Sequence, residues 1–379
     1  MGPLAGFKIV EMFCIGPGPF AGMMLADMGA DVLRVDRPVE RDYGYPDHKY
    51  RTLYRNRRSV ALDLNTDEGH ETLMRLIEQA DGLIEGNRPG VAEKLGMGPD
   101  VCLERNPKLV YGRMTGYGQD GPLAQKAGFD INYISMSGAL HAVGHADRPP
   151  VPPLILAGDF GGGGMFLATG MLAAMLEAGR SGEGQIVDAS MVDGSAALMS
   201  YIYGGHAAGA WANERESNTV DGGHYVYHAY ECADGKYVSV GALLDNFFEN
   251  LRDKLALDPA EFPTRTTRDT WPAKREKLAD VFKTRTRDEW VELFADTDAC
   301  LAPVLDLEEA PHHPHNMERK TFTEHGGVVQ PSPAPKFSRT PSEIVREPPT
   351  NGQHTDEALT DWGFDAAELA HLHERNAIH

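Results

Sequence analysis

The chain has 379 residues, 41% of them hydrophobic and 24% charged, enough to bury a core and long enough for two domains or one large elaborated one. Its formal net charge of −20 argues against nucleic acid and anionic membranes as partners, and no apolar run approaches the roughly 20 residues that span a bilayer. The four cysteines, Cys14, Cys102, Cys232 and Cys300, lie far apart with no CxxC pair, which argues against a disulfide framework and a structural zinc site.

The N-terminal MGPLAGFKIVEM runs straight into a strand pattern without the basic-then-apolar signature of a signal peptide. The closing NAIH is not a peroxisomal address, so a cytoplasmic protein is expected. Phe7–Met12 reads as a buried strand, Ile15–Pro19 as a Gly/Pro turn, Phe20–Met28 as a helix stopped by Gly29, and Val32–Val35 as a second strand. Strand, glycine-rich turn, helix and strand make a βαβ unit. The unit repeats: a helix over Glu68–Ala80, a strand at Gly82–Glu85, another helix, and a strand at Leu109–Arg113. This alternation predicts an α/β fold, a parallel sheet with helices on both faces. No strict GxGxxG with a downstream ribose acid is present, so a dinucleotide site has little support.

A small-residue helix is expected at Gly161–Ala178, a strand at Gln185–Ala189 and a further helix from about Val192 to Ala210. Tyr225–Val240 resembles a β-hairpin around Ala233-Asp234-Gly235-Lys236, which carries turn chemistry. Charged helices fill roughly 245–297. The stretch from Ala310 to about Thr350 is Pro- and His-rich and irregular, and a short helix follows over Ala366–Asn376. Charge is uneven along the chain. Residues 1–60 hold nine Lys/Arg against seven Asp/Glu, so this stretch is +2 and the remainder −22. An anionic ligand is expected there, with an ordinary solvated face as the alternative.

Several segments, in order, carry a resemblance over nearly the whole chain: VEMFCIGPGPFAGMMLADMGADVLRVDRP, RNRRSVALDLN, LIEGNRPGVAEKLGMGP, RMTGYGQDGP, GFDINYISMSGALHAVG, LAGDFGGGG, GQIVDASMVDGS, YECADGKYVSVGA and APVLDLEEAPHHPHN. The chain resembles the family III CoA transferases and, within them, the α-methylacyl-CoA racemases. The resemblance implies a large Rossmann-like domain over residues 1–190, a smaller α+β domain over 191–325, and a segment 326–379 returning to the large domain. It also implies an interlocked homodimer, with the active site between the large domain of one chain and the small domain of the other. Coenzyme A is implied as the substrate carrier, with no permanently bound cofactor and no metal.

Coenzyme A carries an adenine, a diphosphate and a ribose phosphate, so it needs cations and backbone donors. By resemblance, Arg37 and the stretch Leu62, Asp63, Leu64, Asn65 hold its adenosine end. Gly86, Asn87, Arg88 and Lys94, together with Gly128, Ile131, Asn132 and Tyr133, match further binding positions. Asn65 stands where a lysine is usual and Lys94 where an arginine is usual; the first change removes a cation and the second loses the guanidinium fork.

Racemisation beside a thioester carbonyl needs two bases on opposite faces of the α-carbon. In the racemases these are a His in a G-H-D-I-N-Y motif and an Asp in a G-D-F-G-G motif, with a small-domain Glu supporting the His. Here the second motif is intact as Gly158-Asp159-Phe160-Gly161-Gly162, but the first reads Gly128-Phe129-Asp130-Ile131-Asn132-Tyr133. The position of the base is Phe129, and that of the supporting Glu is Leu244. Transferases of the family often carry an aromatic residue followed by an acid there, and need one carboxylate, which attacks the thioester. The expected reading is a CoA transferase with Asp159 as nucleophile, taking an acyl-CoA and a free carboxylic acid. A racemase with a substituted second base is the alternative, and a CoA-ester-binding protein without turnover the third.

Plainer roles stand beside these. Asp159 also suits a helix N-cap. Gly161–Gly164 serves either as N–H donors to an oxyanion or as a helix-packing patch. Asp130 either joins the chemistry or orders the loop. His224 and His228 are either ordinary histidines or substitutes for the lost base, and His312, His313 and His315 read as a loop rather than a metal site.

Overall fold

The computed structural model describes residues 2–39 and 44–379; Glu40, Arg41 and Asp42, which entered the charge count above, lie outside them. The chain divides into two compact units: residues up to Ser137 with Leu154–Leu198 and Pro314–His379, and Gly138–Pro153 with Met199–His313.

The first unit opens with β1 (Lys8–Met12), α1 (Pro17–Asp27), β2 (Asp31–Asp36), β3 (Arg58–Ala61), α2 (Asp67–Gln79), β4 (Gly82–Glu85), α3 (Val91–Lys94), α4 (Pro99–Arg105), β5 (Val110–Thr115) and α5 (Asp130–Met136). A π-helical segment, Leu156–Met165, then runs into α6 (Phe166–Ser181), β6 (Gln185–Ser190) and α7 (Met191–Leu198). Six strands form one parallel sheet in the order β3-β2-β1-β4-β5-β6, in the α/β class expected. The order reverses between β1 and β4, because the chain winds outward from β1 first on one side and then on the other.

Both sheet faces are covered, so the strands are apolar on both sides rather than alternating with polar residues. Val10 and Leu33 belong to a core shared with Leu73 and Ile77 of α2. Their neighbours Ile9 and Val32 face the other way, toward Leu25 of α1 and Leu167 and Met171 of α6. The period-2 side-chain alternation of a strand thus serves two cores at once. Helix α2 starts where the Thr66 hydroxyl accepts the Gly69 N–H at 3.0 Å, with Asp67 and Glu68 in its first turn, a favourable cap and charge for a helix N-terminus. Against the expectation that no apolar run approaches a membrane span, the continuous helix Leu156–Ser181 is long and apolar enough, by length and composition alone, to cross one; Leu167, Ala168, Met171, Ala174 and Met175 pack into the second of the two cores.

Ion pairs tie the first strands and α1 together, with their arginines buried. Arg57 Nε donates to Glu11 at 2.9 Å, Arg34 pairs with Asp36 at 2.6 Å, Arg55 with Asp27 at 2.6 Å and Arg58 with Asp31 at 2.7 Å. This corrects the charge argument. Four of the nine cations in residues 1–60 are committed inside the fold and cannot meet a ligand. Arg37 is exposed, with its guanidinium 5.5 Å from the Phe13 ring.

The second unit contains α8 (Ser200–Ala207), β7 (Tyr227–Glu231), β8 (Tyr237–Gly241), α9 (Asp245–Lys254), α10 (Trp271–Phe282), α11 (Arg287–Phe294) and β9 (Leu301–Val304). The single helix expected over 192–210 is two, α7 and α8, broken at Met199. The hairpin is as expected: β7 and β8 pair antiparallel across a turn in which Gly235 takes φ +74, a conformation that costs glycine little. Tyr225, Tyr230, Val238, Phe248, Phe282 and Trp290 form a separate core.

The chain re-enters the first unit as α12 (Pro314–Arg319), an antiparallel hairpin of β10 (Phe322–His325) and β11 (Val328–Pro331), α13 (Thr355–Asp361) and α14 (Ala366–Glu374). Trp362 and Leu372 join the α2 side of the core.

Candidate active site

The loops at the carboxyl ends of β1, β4 and β5 line a cavity of about 470 Å³ in the first unit. It lies where the strand order reverses, the place where open parallel sheets bind ligands. Cys14–Gly18 follow β1, Gly86–Pro89 follow β4, and Thr115–Tyr117 close β5; Lys126–Phe129, Tyr133, Asp159 and Met191 complete the wall.

Asp159 sits inside the π-helical segment, not at its cap; the cap residue is Ile155. π-turns are uncommon and recur at functional sites. The glycine run packs this segment tightly against its neighbours. A Cβ on Gly162 would stand 2.6 Å from Ser195 N, one on Gly163 2.9 Å from Pro17 Cβ, and one on Gly164 2.7 Å from the Pro17 carbonyl oxygen. Phe160 stacks on Phe20 of α1 with centroids 4.5 Å apart. The N–H groups of Gly161–Gly164 lie within the π-helical ladder, so their role here is close packing rather than presentation of bare donors.

Asp130 holds the Asp159 turn. Its Oδ1 accepts the N–H of Gly158 at 2.9 Å and that of Asp159 at 2.7 Å. Asp130 is buried, and its Oδ2 makes no hydrogen bond among the described residues. The Asp159 carboxyl is pushed up to about 6, first by burial and second by the charge of Asp130. Gly16, at φ +70, faces it; a Cβ there would lie 2.8 Å from Asp159 Oδ2. Only glycine therefore lets the start of α1 approach the carboxylate so closely.

Phe129 lines the same cavity and is 72% exposed, so its ring does not serve the core. Its N–H donates to Asn132 Oδ1 at 3.1 Å, which begins α5. Tyr133 donates its hydroxyl to the Gly128 carbonyl and meets Tyr117 edge-on at 5.0 Å; burial first, then Tyr117, pushes its phenol to about 12. Of the residues named from the sequence, Gly86, Asn87, Arg88, Gly128, Phe129, Tyr133 and Asp159 line the cavity, while Lys94, Asp130, Ile131 and Asn132 do not. Arg37 and Leu62–Asn65 follow β2 and β3 on the same carboxyl edge, also outside this cavity.

Three further features of the site carry no mark in the sequence motifs. Lys126, two residues before the Gly128 motif, is a second cation on the wall beside Arg88. Glu85, buried at the end of β4, accepts the Asn87 N–H at 2.7 Å and Arg113 Nε at 3.0 Å, fixing the Gly86–Pro89 loop. Cys14 also lines the wall, but burial, and then Glu11, raise its thiol well above the ordinary value; the thiolate, the reactive form, is therefore disfavoured.

The remaining candidates lie in the second unit. His224 packs against Tyr225 and Trp271, with centroids 4.7 and 4.3 Å away, and its Nδ1 accepts the Val226 N–H. Burial lowers its pKa to about 4, so it is a neutral packed histidine. His228 bonds the Gly222 carbonyl through Nδ1 at 2.8 Å and lines a separate cavity of about 530 Å³ with His145, Glu216, Ser239 and Cys300. Leu244 precedes α9 and is exposed. Among the described residues no group of three or more His, Cys, Asp or Glu is placed to hold a metal ion.

A carboxylate of raised pKa, held by a buried second carboxylate at the switch point of a parallel sheet, has the chemistry that acyl or proton transfer needs. Residues 4–355 match CoA-transferase family III. The chain belongs to this family. It is 43% identical over 377 residues to the α-methylacyl-CoA racemase of Mus musculus, covering 99% of this chain and 97% of that one. It is 28% identical over 384 residues to the succinyl-CoA:glutarate CoA-transferase of Homo sapiens, covering 95% and 86%. A solved CAIB/BAIF family protein from Brucella suis superposes with a TM-score of 0.82 at 26% identity, covering 95% of this chain and 99% of that one. This family III member is an enzyme of CoA thioester chemistry, either a CoA transferase or a racemase.

Proposed function

We propose that this family III enzyme is a CoA transferase that works through an acyl-aspartyl anhydride on Asp159. The observation that carries the reading is the composition of the wall around Asp159. Among the described residues lining that cavity there is no histidine, and Phe129 lines it at the position where, by resemblance, the racemases carry their imidazole. One carboxylate suffices for transfer, whereas racemisation needs a partner base.

The chemistry balances on one side chain. An Asp159 oxygen attacks the thioester carbonyl carbon; the carbon–sulfur bond breaks, CoA thiolate leaves and a mixed anhydride forms. The acceptor carboxylate then attacks the aspartyl carbonyl and displaces the first acid. Thiolate attack on the acyl carbon of the new anhydride makes the new thioester and frees Asp159. A carboxylate of raised pKa is a stronger nucleophile than an ordinary one. Arg88 and Lys126 on the wall, and Arg37 with Leu62–Asn65 further along the same sheet edge, are proposed to hold the coenzyme, with its adenosine end at Arg37. The exposed apolar side chains of Leu154, Ile155, Leu156, Met165, Phe166 and Leu176 support the interlocked homodimer as part of this proposal, since such patches mark association surfaces.

Racemisation is kept as a second reading because of the 43% identity to the mouse racemase. Two parallel incubations decide between them: a (2R)-methylacyl-CoA in deuterated water, and the same thioester with free succinate. New succinyl-CoA supports transfer. Deuterium at the α-carbon without succinyl-CoA supports racemisation and overturns the proposal.

The pH dependence follows from the carboxyl pair. The nucleophile must be ionised, so kcat/KM rises with pH through about 6, the value to which burial and Asp130 bring Asp159. Asp130→Asn keeps the Oδ1 acceptor and removes the charge. That takes away one of the two causes that raise the Asp159 pKa, so the acid limb moves to lower pH. It does not reach the free-carboxylate value, because burial remains. A limb that stays in place or moves upward in the pH–rate profile shows that Asp130 does not act on Asp159 through its charge.

A further inference from the structure

The residues that end the described chain, Ala377–His379, are built onto the stretch proposed to hold the adenosine end. Strand β3 is an edge of the parallel sheet, and an edge strand leaves a row of N–H and C=O groups open to a further strand. Just past β3 the chain end fills that row. Asp63 N donates to the Ala377 carbonyl at 2.9 Å, His379 N donates to the Ala61 carbonyl at 3.1 Å, and Leu62 faces Ile378 in an antiparallel bridge. Thr355 ties the layers together. Its hydroxyl donates to the His379 carbonyl at 2.7 Å and accepts the Ala61 N–H at 3.2 Å. Ala377 and Ile378 are buried, and so is Leu62, in the core that α2 covers.

These contacts do more than finish a core. The next residues, Asp63–Asn65, form a tight turn in which Asp63 Oδ1 accepts the N–H and the side-chain amide of Asn65 at 3.0 and 2.8 Å. That turn leads into the capped start of α2 at Thr66. It also stands beside Arg37, because Asp36 of β2 is in register with Ala61 of β3 and Leu62 N donates to the Asp36 carbonyl. Two strand ends on the carboxyl edge of the sheet, one bearing an exposed cation and the other a turn, thus lie side by side through the β2–β3 pairing, and the turn-bearing end is braced by residues more than 300 positions away.

We infer that Ala377–His379 is a positioning element for the nucleotide end of the coenzyme: it sets the geometry of Leu62–Asn65 and through it the affinity for the adenosine phosphates, without touching the acyl chemistry at Asp159. The inference rests on the proposed placing of the adenosine end at Arg37 and Leu62–Asn65. A displaced turn loses alignment with a charge-assisted contact, and such contacts depend steeply on geometry. Among the described residues no hydrogen bond or bridge joins this segment to a residue lining the Asp159 cavity, so the acyl site is expected to keep its geometry.

The test uses the full chain with two probes, CoA and adenosine 3′,5′-bisphosphate, titrated calorimetrically into the wild type, Ile378→Asp, Ile378→Val and Arg37→Ala, with thermal melting to confirm folding. Ile378→Asp places a charge in the bridge; Ile378→Val keeps it apolar. The expected result is that Ile378→Asp weakens both probes by a similar factor, about tenfold (one lost unit on the affinity scale), and that Ile378→Val binds as the wild type does. If Ile378→Asp does not fold, Thr355→Val replaces it, with a smaller loss in the same direction expected. A folded Ile378→Asp that binds both probes normally overturns the inference, as does a loss confined to CoA, which would place the effect away from the nucleotide. Arg37→Ala separates the two levels. If it weakens both probes while the bridge variants do not, the positioning role alone falls. If it too is without effect, the placing of the adenosine end falls, and the positioning role with it.

Discussion

Asp159→Asn is expected to lower turnover by at least about a thousandfold, the scale on which an enzyme loses a group that acts in covalent chemistry. Asparagine keeps the size of the side chain and its place opposite Gly16, where the carboxylate oxygen lies within 2.8 Å of where a Cβ would stand. It cannot attack a thioester as an oxygen nucleophile or take an α-proton. The backbone clamp is unaffected, since Asp130 bonds the N–H of residue 159 rather than its side chain. Affinity for CoA should therefore change little, and the loss should appear in kcat. A variant that keeps a tenth of wild-type turnover removes Asp159 from the centre of the mechanism.

Gly194→Ala should have the second-largest effect, through packing rather than chemistry. A Cβ on Gly194 of α7 would stand 1.8 Å from the carbonyl oxygen of Gly162. What it meets is backbone, which no rotamer change can clear, so α7 and the π-helical segment must separate. Overpacking at such a contact costs about 3 kcal/mol, the upper end of the usual range. Asp159 is on the segment that moves, and a displacement of about 1 Å can cost on the order of a hundredfold in rate. Gly179→Ala in α6 is the control: nothing stands within 4 Å of its Cβ, and an open helical site should gain up to about 1 kcal/mol. Denaturant midpoints and turnover of the two variants check both statements. Equal behaviour of Gly194→Ala and the wild type would show that this contact does not hold the site.

Much of the fold was legible because the strands are short apolar runs between glycine and proline turns. Gly82–Glu85 is read from sequence with its observed ends, and the turn at Gly235 follows from local chemistry alone. Strand β3 was not legible. Its Arg58, and Arg57 just before it, resemble solvated charge in sequence, and only the fold supplies Asp31, Asp361 and Glu11 as their partners. The same long-range pairing hid the fate of the basic N-terminal stretch. The π-helical segment escaped because four consecutive glycines have no periodicity; what they encode is the close approach of Pro17 and Ser195 from distant parts of the chain. Within the site, Asp159 and Phe129 were visible from their motifs. The clamp of Asp130 on the Asp159 turn was not, since a hydrogen bond across 29 positions leaves no local mark.

The central claim, that Asp159 becomes acylated, is tested most directly by trapping. The enzyme is incubated with succinyl-CoA and hydroxylamine, digested, and the peptide containing Asp159 is weighed by mass spectrometry. Hydroxylamine intercepts an aspartyl anhydride, or the aspartyl thioester that thiolate makes from it, at the Asp159 carbonyl and leaves a hydroxamate there. The account predicts that modification at Asp159, dependent on the thioester and absent in Asp159→Asn. An unmodified peptide from an enzyme that nevertheless exchanges the α-hydrogen of a 2-methylacyl-CoA with deuterated water would contradict it.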